Sequence, residues 1–142
     1  MARGAQREVE IITDVARLDL HFIHAFLSGS SYWARGRSRE LVERSVRGSL
    51  CFGAYARERQ LGFARVVTDR ATFAWLRDVF VDPAHRGVGV GKRLVEAVVA
   101  HPELSALRRI VLATRDAHGL YERSGGFAPL ANPADWLARV VD

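Results

Sequence analysis

The segment from Asp78 to Leu94, DVFVDPAHRGVGVGKRL, constrains this chain more than any other. Residues 74–81 are apolar and rich in aromatic and β-branched side chains except at Arg77 and Asp78, which is the composition of a strand. Asp82-Pro83 ends it, because proline fixes φ and has no N–H for a ladder. Arg86-Gly87-Val88-Gly89-Val90-Gly91-Lys92 follows, and its alternating glycines let the backbone turn tightly and approach a ligand closely. Val90, Leu94, Val95, Val98 and Val99 then recur at helical spacing. The first amides of a helix have no intrahelical partner, and the dipole there favours negative charge. A strand, a glycine loop and a helix start thus make an anion site suited to phosphate or pyrophosphate. Arg86 and Lys92 flank it with positive charge.

Counting excludes two phosphate motifs. A P-loop needs a glycine five residues before Gly91 and a hydroxyl residue after Lys92, but those positions hold Arg86 and Arg93. The dinucleotide pattern GxGxxG fails from Gly87, where Lys92 replaces the third glycine, and from Gly89, where Leu94 does. What remains is Arg86-x-x-Gly89-x-Gly91, which alone is also compatible with a plain turn. A second stretch decides between these: Ala117-His118-Gly119-Leu120-Tyr121-Glu122-Arg123-Ser124-Gly125-Gly126-Phe127. The two together resemble the GNAT family, the GCN5-related N-acetyltransferases. The first matches the family's coenzyme A loop, and the second its late motif A-x-x-L-Y-x-K/R-x-G-F. The match departs at Gly125-Gly126, where one glycine is usual, and this bears on the turn into the last strand.

The resemblance implies an α/β (α+β) acyl-coenzyme A acyltransferase fold, with a mixed central sheet of about six to seven strands flanked by about four helices. It implies acetyl-coenzyme A as co-substrate, with its pantetheine arm beside Val79, Phe80 and Val81. Its diphosphate would rest on the amides of Arg86, Gly87, Val88, Gly89, Val90, Gly91 and Lys92. It places Tyr121 as the general acid for the departing thiolate. It implies direct attack by a primary amine in a ternary complex. The leading acceptor is a small metabolite or amino-acid-like amine. Acetylation of a protein N-terminus or lysine, and a non-catalytic acyl-coenzyme A sensor, are the rivals.

Composition bounds the rest. A chain of 142 residues, 49% apolar and 26% charged, is one globular domain, 1–142, large enough to bury a core. No window approaches the ~20 apolar residues of a membrane span, and MARGAQREVE lacks the apolar centre of a signal peptide. The single cysteine, Cys51, excludes an internal disulfide and fits the cytoplasm. The net charge of +5 comes almost wholly from arginine, since Lys92 is the sole lysine. The arginines are scattered and no nucleic-acid motif accompanies them, so a G+C-rich genome explains most of them without a nucleic-acid partner. No metal is called for, and the chain is expected as a monomer or homodimer.

In chain order, Glu8 to Ile12 reads as a first strand, and Thr13 or Asp14 as a helix cap. The first helix is expected to end near Ser28-Gly29-Ser30, and Ser38 to cap a second. Residues 49–56 and 61–67 read as a hairpin, 109–114 as a short buried strand, 117–124 as a helix, and 127–130 as a further strand. Pro133 is placed to start a last helical turn.

Between the two helices lies Ser31 to Arg37, SYWARGR, a loop with large aromatics outside any periodic segment. Tyr32, Trp33 and Arg35 are candidates to wall an acceptor pocket for a carboxylate-bearing amine; equally, the aromatics plug the core while the arginines are solvated. Asp78 stands inside an apolar strand near the expected thioester. It either holds or deprotonates the amine, or pairs with Arg77 or another arginine at the core edge. His118 is placed to relay a proton or to lie exposed on its helix, and His85 reads as turn surface. Cys51 reads as a small core residue rather than a nucleophile.

Overall fold

The computed structural model describes residues 9–141, so the expectation at Glu8 lies outside the described residues. The sheet runs β1 (Val9–Ile12), β2 (Leu50–Ala56), β3 (Arg59–Thr68), β4 (Ala74–Val81) and β5 (Ile110–Val111), in that spatial order. The first four strands are antiparallel neighbours, and β5 joins β4 in parallel. Among the described residues four α-helices complete it: α1 (Leu20–Gly29), α2 (Arg39–Arg47), α3 (Val90–Ala100) and α4 (His118–Gly125). This is the mixed α/β order expected from the sequence.

Side chains along β2 alternate between two apolar clusters, as the two-residue period of a strand requires. Leu50, Phe52 and Ala54 pack with Val90, Leu94, Val95 and Val98 of α3. Cys51 points the other way, with Ile23 and Leu27 of α1 and Val42 and Val46 of α2. Ser38 caps α2 through Oγ, accepting from Leu41 N at 3.1 Å. Asp14 caps only a 3₁₀ turn, Val15–Arg17, while Asp19 caps α1 itself.

Two features of β4 position everything that follows. Its pairing with β3 slips between Phe63 and Arg65, and Asp78 at the slip has φ +53. A bulge of this kind re-aims side chains, and a non-glycine residue at positive φ is uncommon enough to mark a built feature. Ahead of the bulge Leu76 joins the α3 cluster, and beyond it Phe80 joins the α1–α2 cluster. Second, β5 pairs with β4 only at Ala74↔Ile110 and Trp75↔Val111. Past Trp75, β4 keeps a ladder on its β3 side alone, and the two strands open into a cleft.

The chain departs from expectation after α3. Of residues 109–114 only Ile110–Val111 form a ladder. Residues 127–130 join none among the described residues. The doubled glycine explains the turn: α4 absorbs Gly125, and Gly126, in the left-handed region at φ +70, closes it by donating to Glu122 O. Phe127 then folds back on Tyr121, with ring centroids 6.0 Å apart, while Leu130 is exposed. No alternating apolar face is left to pair. Pro133–Asp135 is a 3₁₀ turn, as its proline suggested.

Candidate active site

The glycine loop leaves β4 through Asp82, whose N–H donates to Leu61 O at 2.7 Å and whose carboxylate lies 3.2 Å from His85 Nδ1. Pro83–His85 is one 3₁₀ turn. Gly87 has φ +83 and Gly89 φ +90, both in the left-handed region that glycine alone enters without strain. Gly89 is the N-cap of α3 and offers no side chain to its first amides. A Cβ at Gly87 would meet nothing within 4 Å, so the loop's outer surface is open. A capless eleven-residue helix, an open glycine loop and the exposed side chains of Arg86 and Lys92 fit a diphosphate. Val79 and Val81 remain partly exposed on β4, with the neighbouring side of that strand unpaired.

Next to this lies a cleft of about 420 Å³. β4 supplies one wall through residues 75–79, and residues 112–117 with Tyr121 supply the other. Tyr32 and Trp33 close one side. Their loop is fastened at both ends: Ser31 Oγ donates to Leu27 O at 2.7 Å and accepts from Ala34 N at 3.0 Å, and Gly36 N donates to Ser28 O at 2.9 Å. Tyr32 reaches across, its hydroxyl accepting from Arg115 N at 2.8 Å. Its ring meets Trp33 edge-on at 5.0 Å.

Asp78 anchors that side. Its side chain is fully buried. Oδ1 accepts from Trp33 Nε1 at 2.8 Å, and Oδ2 from Arg65 Nε at 2.8 Å and Arg37 Nη1 at 2.9 Å. Arg65 also donates to Ser49 Oγ at 3.0 Å. Burial alone would raise this carboxyl's pKa, but Arg65 and Arg37 outweigh it and hold the group below its ordinary range. The partners are therefore Arg65 and Arg37, while Arg77 lies over the Trp75 ring, its Cζ 4.2 Å from the centroid.

Tyr121 projects from α4 into the cleft and is 8% exposed. Its hydroxyl has no hydrogen-bond partner among the described residues. Burial first, then the neighbouring Tyr32 and Asp116, push its pKa up to about 12. The phenol thus keeps its proton across the whole physiological range.

The structure brings Tyr32, Trp33, Asp78, Val79 and Tyr121 to one cleft. It does not bring Arg35 there: that side chain is exposed outside the lining. The loop carries its cation inward at Arg37 instead, two residues on. Cys51 is buried, with its thiol pushed up to about 12 chiefly by that burial, so it is a core residue. His118 is exposed on α4. Arg65, Trp75 and Arg115 were missed by sequence reasoning, and so was the pairing of Arg37 with Asp78. One signal was available: Arg65 and Asp78 are opposite charges in two consecutive apolar strands, the pattern of a cross-strand pair.

The fold and this site define an acyltransferase of the acetyltransferase class. A family model described as "Acetyltransferase (GNAT) domain" matches residues 47–125. The chain is 30% identical to FG08082 of Gibberella zeae, assigned as an acetyltransferase, over 82% of this chain and 77% of that protein. A crystal structure of a protein from Xanthomonas campestris pv. campestris assigned to the GNAT family is 50% identical. It superimposes with a TM-score of 0.90 over 94% of this chain and 93% of that one. SA2161 of Staphylococcus aureus, at 20% identity and a TM-score of 0.74, shares the fold over 94% of this chain and 98% of its own. The chain belongs to the GNAT acetyltransferase family. No helix among the described residues is long and apolar enough to cross a membrane.

Proposed function

We propose that this single domain transfers an acetyl group from acetyl-coenzyme A to the primary amine of a small or amino-acid-like acceptor, by direct attack in a ternary complex. The observation that carries the reading is Tyr121, a phenol protonated up to about pH 12 in the cleft where β4 parts from β5. Acetyl-coenzyme A supplies an acetyl group already activated as a thioester. The amides from Arg86 to Lys92 hold the diphosphate, and the open side of β4 at Val79, Phe80 and Val81 aligns the pantetheine arm. Tyr121 Oη holds the proton that a departing thiolate takes up.

A primary amine with a pKa of about 10.4 costs about 4.6 kcal/mol to neutralise at pH 7. Neighbouring cations lower such a pKa, and Arg77 and Arg115 line the cleft. Asp78 acts in this scheme as a wall rather than a base. Its proton affinity is already lowered by two guanidinium groups, and its side chain is fully buried against them. It positions Trp33 and Arg37.

The test is thermal unfolding with and without acetyl-coenzyme A, followed by free-thiol release across amines, amino acids and peptides. A rise in Tm together with release from one small-molecule class is expected, because a ligand that binds only the folded state stabilises it by mass action. A rise without release from any amine would leave a binding module; no rise would remove the loop assignment.

A further inference from the structure

We propose that Arg77 and Arg115 form a clamp for an anionic group on the acceptor, a carboxylate or a phosphate, and so select acidic amines. This rests on the acetyltransferase reading and specifies its substrate class. The cleft's charge is unbalanced: Arg37, Arg65, Arg77 and Arg115 line or buttress it, against Asp78 and Asp116. Asp78 is consumed by Arg37 and Arg65. Arg77 and Arg115 have no ion-pair partner among the described residues.

Both cations sit over an aromatic ring at the cleft's walls. Arg77 Cζ lies 4.2 Å from the Trp75 ring centroid on β4, and Arg115 Cζ lies 3.8 Å from the Tyr32 centroid. The backbone at Arg115 is further fixed by its N–H bond to the Tyr32 hydroxyl. Stacking immobilises a guanidinium while leaving its in-plane N–H donors free, and that planar fork matches carboxylate and phosphate oxygens. A volume of about 420 Å³ limits the occupant to a small molecule. A second positive charge on the acceptor would meet the same two cations and be repelled.

The experiment compares kcat/KM for matched amines in wild type, Arg77→Gln and Arg115→Gln, at equal concentration of unprotonated amine. Amino acids are set beside their carboxamides, O-phosphoethanolamine beside ethanolamine, and ethylenediamine serves as the dication. The acidic member of the preferred pair is expected to exceed its neutral partner by about ten- to a hundredfold. The preference should collapse through KM in both glutamine variants and return in part in the lysine variants, which keep the charge without the fork. Whichever pair shows the preference tells a carboxylate from a phosphate. Neutral or dicationic amines used as well as acidic ones, or a preference that survives both substitutions, would overturn the clamp while leaving acetyl transfer standing. A Tm rise with acetyl-coenzyme A but no thiol release from any amine would instead remove the acetyltransferase reading, and the clamp with it.

Discussion

The glycine loop and the neighbouring cleft, as proposed binding regions, are built in opposite ways. In the proposed scheme the loop uses backbone: two glycines in the left-handed region and a helix start with no side-chain cap would present amides to an anion. The cleft uses side chains, drawn from the α1–α2 loop, β3, β4, the β5–α4 loop and α4, and locked by a buried carboxylate. The difference teaches where each half can vary. A backbone site reads phosphate whatever its side chains are, provided the glycines remain. A side-chain site changes specificity with each residue, but every part depends on the network that holds it.

The largest expected effect breaks that network. Asp78→Asn leaves Arg37 and Arg65 without their counter-charge, and removing one partner of a buried pair costs about 3–5 kcal/mol. Urea unfolding measures this directly. The pH dependence has a definite sign. A carboxyl whose folded pKa is depressed contributes stability above its unfolded value of about 3.9, and that contribution is lost as pH falls through the lower folded value. Wild type should therefore lose stability below about pH 4 more steeply than the variant. If the variant keeps its stability and loses activity chiefly at low pH, Asp78 belongs to the chemistry instead.

On the loop side, Gly89→Glu forces a side chain into φ +90 and sets a negative charge at the start of α3. Acetyl-coenzyme A affinity should fall by about 100-fold or more, about 2.8 kcal/mol. Gly89→Ala sharpens the contrast, since it carries the backbone penalty without the charge. Titration calorimetry that found wild-type affinity in the glutamate variant would place the diphosphate elsewhere.

The smallest effect is expected at Arg35. It neighbours the cleft in sequence but points outside it, so Arg35→Ala should change kcat/KM by no more than about twofold and stability by less than about 0.5 kcal/mol. A large loss of activity would extend the acceptor site beyond the cleft.

The same contrast explains what was legible in the sequence. β4, the glycine loop and α3 occupy one contiguous stretch whose signals are local: an apolar run, Asp82-Pro83, alternating glycines and helical spacing. The motif around Tyr121 is equally compact. The cleft was only partly legible. Tyr32, Trp33 and Asp78 stood out as residues that broke their local patterns. Their partners did not, because Arg37 lies 41 residues from Asp78 and Arg65 lies 13 away on the adjoining strand. No local rule says which of twenty arginines meets a buried carboxylate. The strand expected at 127–130 failed for a local reason: the second glycine lengthened α4 and turned Phe127 back onto Tyr121.

The measurement that tests the division of labour most directly is free-thiol release by Tyr121→Phe over a range of acetyl-coenzyme A concentrations. Loss of the proposed proton donor, with the loop untouched, should lower kcat by about 100-fold, at the low end of what a general acid contributes, and leave the acetyl-coenzyme A KM near that of wild type. Release at the wild-type rate would show that Tyr121 gives no proton, and the central claim about this cleft would be wrong.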